Sequence, residues 1–226
     1  MGSASKVGPV LPRSRRVIGM RQKLLIATRN RGKWAEIREL LADLPVELVG
    51  LDDFPQLPEI EESGTTFEEN ALLKARFFHE RTGLLTVAED SGLEVEALGG
   101  APGLFSARYG RSDAERIARL LAQLRDVPAS RRTARFICVA ALVGPGLERT
   151  FIGEVRGRIR SEPSGSNGFG FDPVFEYPPL GKTFAELTRA EKSAVSHRGQ
   201  AFRQLRDFLA HWLARSGARG TEGRES

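Results

Sequence analysis

The chain has 226 residues, of which 40% are hydrophobic, and this is enough for a sizeable core in one domain or in two closely packed lobes. No apolar run reaches the roughly 20 residues of a membrane helix, and the N-terminus lacks the apolar centre of a secretory signal, so we expect a cytoplasmic protein with no membrane partner. The formal net charge is +5, but six of the 34 basic residues and none of the 29 acidic residues lie in the first 23 positions, so the remainder is nearly neutral and no stable nucleic-acid complex is expected.

The N-terminal part of the sequence predicts a leader, a strand and a helix. Residues 1–22 are rich in Gly, Ser, Pro and Arg, and we expect a disordered basic leader there. A strand is predicted at 23–27, and a helix follows the polar turn at 28–32, because apolar residues recur at helical spacing from Trp34 to Leu44. A second strand is predicted at 46–49.

The next helix carries sequence signals for both of its ends. Thr66 and Glu69 have the spacing of a capping box, and Gly83 is placed to end the helix. A strand follows at 84–88. The stretch AEDSG at 88–92 is expected to be a turn, since Asp, Ser and Gly are frequent in turns.

The second half of the chain predicts a further helix capped by Ser112 and then two long strands, at 135–143 and 149–159, which we expect to pair. A glycine-rich loop at 164–172 leads to a brief helix near Thr183. These strands and helices interleave, so the fold class is predicted to be α/β, with a long mixed β-sheet flanked by helices.

The C-terminal part predicts a last helix from Ser196 to about Arg215, followed by a disordered tail at 216–226. A single domain over 23–215 results. The only cysteine, Cys138, lies in an apolar run and is expected to be a buried structural thiol. His79 and His211 are also expected to be structural, because neither belongs to a zinc motif.

Two polar clusters have the composition of a phosphate or metal site. The turn TRNRGK at 28–33 places an amide, backbone N–H groups and Lys33 at a helix start, which favours anions. The acidic loop with Glu59, Glu61 and Glu62, taken together with AEDSG, offers the oxygen ligands that Mg²⁺ prefers. The alternatives are a capped helix with basic surface residues, and acids that only solvate a helix start.

Two later clusters have the composition of a base-binding site. Phe169 and Phe171 lie in a glycine-rich loop and could stack on a base, or they could pack inward. Lys192, His197 and Arg198 lie at the start of the last helix. Cations there oppose the helix dipole, so an anionic or carbonyl partner would explain them; the alternative is a capping Ser196 with exposed neighbours.

These clusters together resemble the inosine triphosphate pyrophosphatase family, whose members hydrolyse noncanonical purine nucleoside triphosphates such as ITP, dITP and XTP. TRNRGK resembles the family's T-G-N-x-x-K motif, and the later blocks occur in the family's order: EESGTTFEENALLKA, AEDSGLEVEALGGAPGLFSARY, GFGFDPVF and KTFAELTRAEKSAVSHRGQA. The resemblance covers about residues 23–213. It implies two lobes with an active-site cleft between them, a homodimer, and hydrolysis that depends on Mg²⁺, for which Mn²⁺ could substitute.

The resemblance also implies residue roles. Glu62 and Asp90 would hold magnesium, Asp90 would accept the proton of the attacking water, and Ser91 would contact the substrate. The triphosphate would be bound by Thr28, Arg29, Asn30, Arg31, Gly32 and Lys33. The base would be framed by Phe169, Gly170, Phe171, Asp172, Lys192, His197 and Arg198.

Specificity has a physical basis at C6 of the purine. Hypoxanthine and xanthine present an oxygen acceptor there and adenine presents an amino donor, so a rigid donor such as Arg198 would select against adenine. Guanine also has the C6 oxygen, so its rejection stays unexplained. Three features differ from the family pattern: Arg29 stands in place of glycine, Ser166 and Asn167 in place of Thr-Gly, and Phe171 in place of Tyr or Trp.

Two other functions are compatible with these residues. One is a related pyrophosphatase that acts on modified pyrimidine nucleotides. The other is a non-catalytic nucleotide or RNA sensor, which only the basic leader favours. Within the acidic run, Glu59 and Glu61 are alternatives to Glu62 as the metal ligand.

Overall fold

The computed structural model describes residues 21–222, with side chains described through residue 215. The described residues form one seven-stranded sheet in the order β2-β1-β3-β4-β5-β6-β7. β1 is parallel to β2 and β3, and the other neighbours are antiparallel, so the predicted mixed sheet of an α/β fold is confirmed. The strands are β1 (Gln22–Ile26), β2 (Val46–Gly50), β3 (Leu85–Val95), β4 (Thr133–Gly144), β5 (Leu147–Ile159), β6 (Phe175–Tyr177) and β7 (Lys182–Thr183).

Three helices begin at side-chain caps, and two of these caps, Thr66 and Ser112, were predicted. The side chains of Asn30, Thr66 and Ser112 accept hydrogen bonds from backbone N–H groups three residues later, and Gly83 ends the second helix in the left-handed conformation with a φ of 68°. The helices are α1 (Arg31–Leu40), α2 (Phe67–Thr82), α3 (Asp113–Gln123), α4 (Arg189–Val195) and α5 (His197–Glu222). Within the described residues, no helix is long and apolar enough to span a membrane.

The C-terminal elements differ from the prediction. Helix α4 was not predicted, the brief helix near Thr183 is a 3₁₀ turn at Phe184–Glu186, and α5 continues to Glu222 instead of ending near Arg215. The expected tail is therefore helical as far as Glu222, and residues 223–226 lie outside the described residues. Residues 1–20 of the expected leader also lie outside them.

Three hydrophobic clusters form the core. One packs α1 and α5 on one face of the sheet, and another packs α2 on the opposite face. The third packs α3 against the C-terminal ends of β3 and β5 and the N-terminal end of β4. Cys138 is fully buried in the α1 and α5 cluster, as predicted for a structural thiol. The division into two lobes stays a prediction.

Strand β3 runs through AEDSG, so the predicted turn at 88–92 is wrong. Glu89 and Asp90 are both buried and pair with Ala140 and Val139 of β4. Adjacent residues of a strand point to opposite faces, so the Glu89 side chain lies on the α1 and α5 face and that of Asp90 on the α2 face. The strand continues because buried cations neutralise the carboxylate on each face.

Candidate active site

A pocket lies where the start of α1, the middle of β3, the glycine-rich loop and the starts of α4 and α5 meet. It brings together the following predicted residues: Asn30, Lys33, Ser91, Phe169, Gly170, Phe171, Asp172, Lys192, His197 and Arg198. It is completed by residues that were not predicted: Gly92, Ser106, Ala107, Arg116 and Phe136. The pocket lining does not include the other predicted residues: Thr28, Arg29, Arg31, Gly32, Glu62 and Asp90.

The turn before α1 is a helix start capped by its own side chains. Asn30 Oδ1 accepts a hydrogen bond from Lys33 N at 3.0 Å, and Thr28 Oγ1 accepts one from Asn30 N at 3.2 Å. A Cβ atom on Gly32 would lie 2.5 Å from Phe169 Cδ1, so only glycine fits there without a shift of the ring. Arg29, which replaces the family's glycine, points away and donates to Leu57 O at 2.8 Å.

Glu89 is a buried carboxylate behind the pocket residues Lys33 and Arg198, and these contacts were not predicted. Its oxygens lie 2.5 Å from Lys33 Nζ and 3.0 Å from Arg198 Nε, and Cys138 Sγ donates to it at 2.9 Å. Burial acts to raise the pKa of Glu89, but Arg198 and Lys33 outweigh it and hold that pKa well below its ordinary value. Glu89 therefore does not face water.

Burial and the charge of Glu89 shift the pKa of Lys33 in opposite directions. Burial disfavours its ammonium group, but the Glu89 carboxylate outweighs this effect and raises the pKa of Lys33. Lys33 therefore remains charged, and Glu89 holds it at the pocket.

Glu36, in the second turn of α1, is another carboxylate that was not predicted. It lies 2.7 Å from Lys192 Nζ and 2.7 Å from Arg198 Nη1. Lys192 Nζ is also 2.5 Å from Asp172 Oδ2, which in turn accepts a hydrogen bond from Phe169 N. The helix start expected to bind phosphates is thus joined by ion pairs to the residues expected to frame the base.

Most donors of Arg198 are engaged by the protein. Nε and Nη2 donate to Glu89, Nη2 also donates to Ser91 Oγ at 3.0 Å, and Nη1 donates to Glu36. A guanidinium has five N–H groups, so one N–H on Nη1 remains for a substrate. Lys192, His197 and Arg198 are all buried, so the alternative of exposed neighbours around Ser196 is wrong, although Ser196 does cap α5.

His197 is a neutral side chain in this pocket. It stacks on Phe136 with ring centroids 4.6 Å apart. Burial, with the nearby charges of Arg198 and Lys192, holds the pKa of His197 well below its ordinary value. Among the described residues, its buried Nδ1 atom has no hydrogen-bond partner. A neutral imidazole with an unpaired nitrogen suits a polar edge of a ligand.

The two loop phenylalanines differ in exposure. Phe171 is buried and meets Tyr109 edge-on, with centroids 6.3 Å apart, so it packs inward while it lines the pocket. Phe169 is half-buried, and Lys192 Nζ lies 4.9 Å from its ring centroid. Phe169 therefore presents the ring that is better placed to stack on a base.

The two carboxylates expected to bind metal share one lysine. Lys74 Nζ of α2 lies 2.5 Å from Glu62 Oε1 and 3.6 Å from Asp90 Oδ1, and Asn70 Nδ2 donates to Asp90 Oδ2. Asn70 and Lys74 were not predicted, although their four-residue spacing places them on one helix face. Burial raises the pKa of Asp90 even though Lys74 and Lys33 oppose the increase.

The exposure of the acidic loop favours Glu62 over its neighbours. Glu59 and Glu61 are exposed, whereas Glu62 is partly buried and faces the Asp90 side of β3 through Lys74. No group of three or more His, Cys, Asp or Glu side chains in the described part of the chain could hold a metal ion. A pair of carboxylates nevertheless fits Mg²⁺, which takes one or two carboxylates together with water and phosphate oxygens.

A last set of contacts ties α3 to the glycine-rich loop at 164–172, called the base-framing loop below because it holds residues that are expected to frame the base. Asp113 Oδ2 accepts a hydrogen bond from Gly170 N at 2.7 Å, and Asp113 Oδ1 lies 2.6 Å from Arg116 Nη1. Arg116 Nε also donates to Gly110 O at 3.1 Å. The sequence predicted α3 only as a helix capped by Ser112. Asp113 and Arg116, at its start, were therefore not predicted as site residues.

Comparison with known proteins identifies the family of this chain. The Ham1 family model matches residues 24–208. A dITP/XTP pyrophosphatase of Streptomyces avermitilis is 52% identical over 189 residues, which are 81% of this chain and 94% of that protein. A dITP/XTP pyrophosphatase of Geobacter sulfurreducens is 51% identical over 191 residues, which are 83% of this chain and 96% of that protein. The structure of a HAM1 protein from Coxiella burnetii aligns with a TM-score of 0.77 and 44% identity, covering 84% of this chain and 99% of that one. The chain therefore belongs to the Ham1 family.

Proposed function

We propose that this protein hydrolyses noncanonical purine nucleoside triphosphates (ITP, dITP and XTP) to the monophosphate and pyrophosphate, and so removes them from the nucleotide pool before they enter DNA or RNA. The observation that carries the proposal is a single pocket in which Lys33, at the start of α1, meets the Phe169 ring and the donors of α5. The names of the Streptomyces and Geobacter relatives support the same activity.

Glu62 and Asp90 would hold a divalent cation, Mg²⁺ or in its place Mn²⁺. Lys74 contacts both carboxylates, so the pair already faces a positive charge, and Asp90 directly precedes Ser91 of the pocket. When bound, the cation neutralises negative charge on the phosphate oxygens.

The protein's own groups carry the remaining chemistry. Lys33 exchanges its Glu89 partner for phosphate oxygens and stabilises the charge that grows on them. Asp90 accepts a proton from the water that attacks the α-phosphorus. The bond between the α-phosphorus and its bridging oxygen breaks, and pyrophosphate leaves.

The experiment is product analysis on ITP, dITP, XTP, GTP and ATP, with and without Mg²⁺. We expect one pyrophosphate per ITP consumed, little turnover of ATP, and no turnover without the cation. Orthophosphate as the product, or equal rates on ATP and ITP, would contradict the proposal. ITP binding without turnover would indicate a sensor, and faster turnover of modified pyrimidine nucleotides would indicate the related pyrophosphatase.

A matched pair of variants tests the metal ligand. Glu62→Gln should raise the Mg²⁺ concentration for half-maximal rate by about 10- to 100-fold, a typical cost for disturbing a metal site. The control is Glu61→Gln, which changes the exposed neighbour and should leave the Mg²⁺ dependence unchanged. Equal effects of the two changes would remove Glu62 from the site.

We also propose that the protein acts as a cytoplasmic homodimer, by analogy with the family that its motifs resemble. Light scattering of the purified protein would test the oligomeric state. A monomer at the concentration used for activity would contradict it.

A further inference from the structure

Arg116 is a pocket residue whose guanidinium is fixed in place and only partly used. Nε donates to Gly110 O and Nη1 to Asp113 Oδ1, and these two bonds set the orientation of the guanidinium plane. Within the described residues, Nη2 donates to no protein acceptor, and the side chain is 22% exposed. Arg116 therefore presents three N–H groups that a ligand can use, two on Nη2 and one on Nη1.

Contacts of α3 place Arg116 at the base end of the pocket. Asp113, which holds Arg116 through Oδ1, accepts the backbone N–H of Gly170 through Oδ2. Gly170 lies between the two phenylalanines of the base-framing loop. Arg116 reaches the pocket from α3, whereas Lys192, His197 and Arg198 reach it from α4 and α5, so the two sets of donors come from different elements.

The purine bases differ at C2 in a way that a guanidinium can distinguish. Xanthine has a carbonyl oxygen at C2, hypoxanthine has only a hydrogen there, and guanine has an amino group. A fixed N–H donor pairs with the xanthine oxygen and is indifferent to hypoxanthine. Facing guanine, the donor and the amino group would both lose their hydrogen bonds to water without replacing them.

We propose that Arg116 recognises the C2 edge of the purine, so that it favours xanthine and selects against guanine. This inference rests on the proposed function and supplies what a donor at C6 cannot, since guanine and hypoxanthine share the C6 oxygen. Arg116 acts in substrate selection and not in the transfer of protons.

The test compares kcat/KM for XTP, GTP and ITP in the wild-type protein and in Arg116→Ala, with ITP as the internal reference because it carries no polar group at C2. We expect the XTP to ITP ratio to fall by about 10- to 100-fold, the range for loss of one hydrogen bond with a charged donor. The GTP to ITP ratio should rise. Arg111→Ala, which removes an exposed arginine just before α3, should change neither ratio.

Several outcomes would overturn the inference. Unchanged ratios in Arg116→Ala would do so, as would a parallel loss on all three substrates, which would indicate a phosphate contact or a structural role. If Arg116→Ala does not fold, Arg116→Lys serves instead, because it keeps the charge without the fork geometry and should still lower the XTP to ITP ratio. Wild-type protein that fails to release pyrophosphate from ITP would refute the proposed function itself, which separates the two failures.

Discussion

Replacement of Glu89 by glutamine should destabilise the folded protein strongly while it preserves the shape of the side chain. Glu89 is buried, and it is the only carboxylate within ion-pair distance of Lys33 in the described part of the chain. The change leaves the Lys33 ammonium buried without a counterion. Arg198 loses one of its two carboxylate partners and keeps the other, Glu36.

The magnitude follows from the distances. Two unit charges about 3 Å apart attract by about 5 kcal/mol at an effective dielectric constant of about 20, and burial offsets part of this. Removal of one partner of a buried pair typically costs about 3–5 kcal/mol. For a domain of this size, that corresponds to a fall in Tm of roughly 6–20 °C.

The assay is urea unfolding of four proteins: wild type, Glu89→Gln, Lys33→Met and the double variant. If the pair is coupled, Lys33→Met in the Glu89→Gln background should restore part of the lost stability, since the uncompensated ammonium is then gone. A cost below about 1 kcal/mol for Glu89→Gln, or simple additivity in the double variant, would refute the reasoning.

Three further predictions concern Glu36, Gly32 and Cys138. The pKa of Glu36 is lowered because Arg198 and Lys192 outweigh the effect of burial. The stabilising contribution of Glu36 is therefore complete above its ordinary pKa of 4.5 and is lost as the pH falls through the lower folded value. Glu36→Gln should cost about 2 kcal/mol in urea unfolding at neutral pH and progressively less in acid. Gly32→Ala should raise the KM for ITP by about tenfold because Phe169 must move, and an unchanged KM would contradict this. Cys138 should react with a thiol reagent only after unfolding, because the thiol is buried and burial, with Glu89, raises its pKa; labelling of the native protein would contradict this.

Sequence reasoning was most successful where the signal is local. The caps Thr66 and Ser112 and the left-handed Gly83 depend on residues three or four positions away, so their patterns are visible in the chain itself. The ordered motifs likewise led to the pocket, because four of the five supply residues that line it.

The missed residues depend on partners that are distant in sequence. Glu36 looks like an exposed residue on an amphipathic helix, yet its partners Lys192 and Arg198 lie 156 and 162 positions later. The same holds for AEDSG, which has the composition of a turn. It becomes a buried strand only because Lys33, Lys74 and Arg198 approach from three different helices.

The alternation of faces in β3 constrains how this segment can vary. Insertion or deletion of a single residue between Val87 and Gly92 would exchange the faces, bringing the Asp90 carboxylate to Arg198 and the Glu89 carboxylate to Lys74. It would also replace Gly92, where a Cβ atom would lie 2.4 Å from Gly103 O, with a residue that has a side chain. Relatives should therefore tolerate changes of residue type here more readily than changes of length, and an engineered loop or tag placed in this segment should abolish folding.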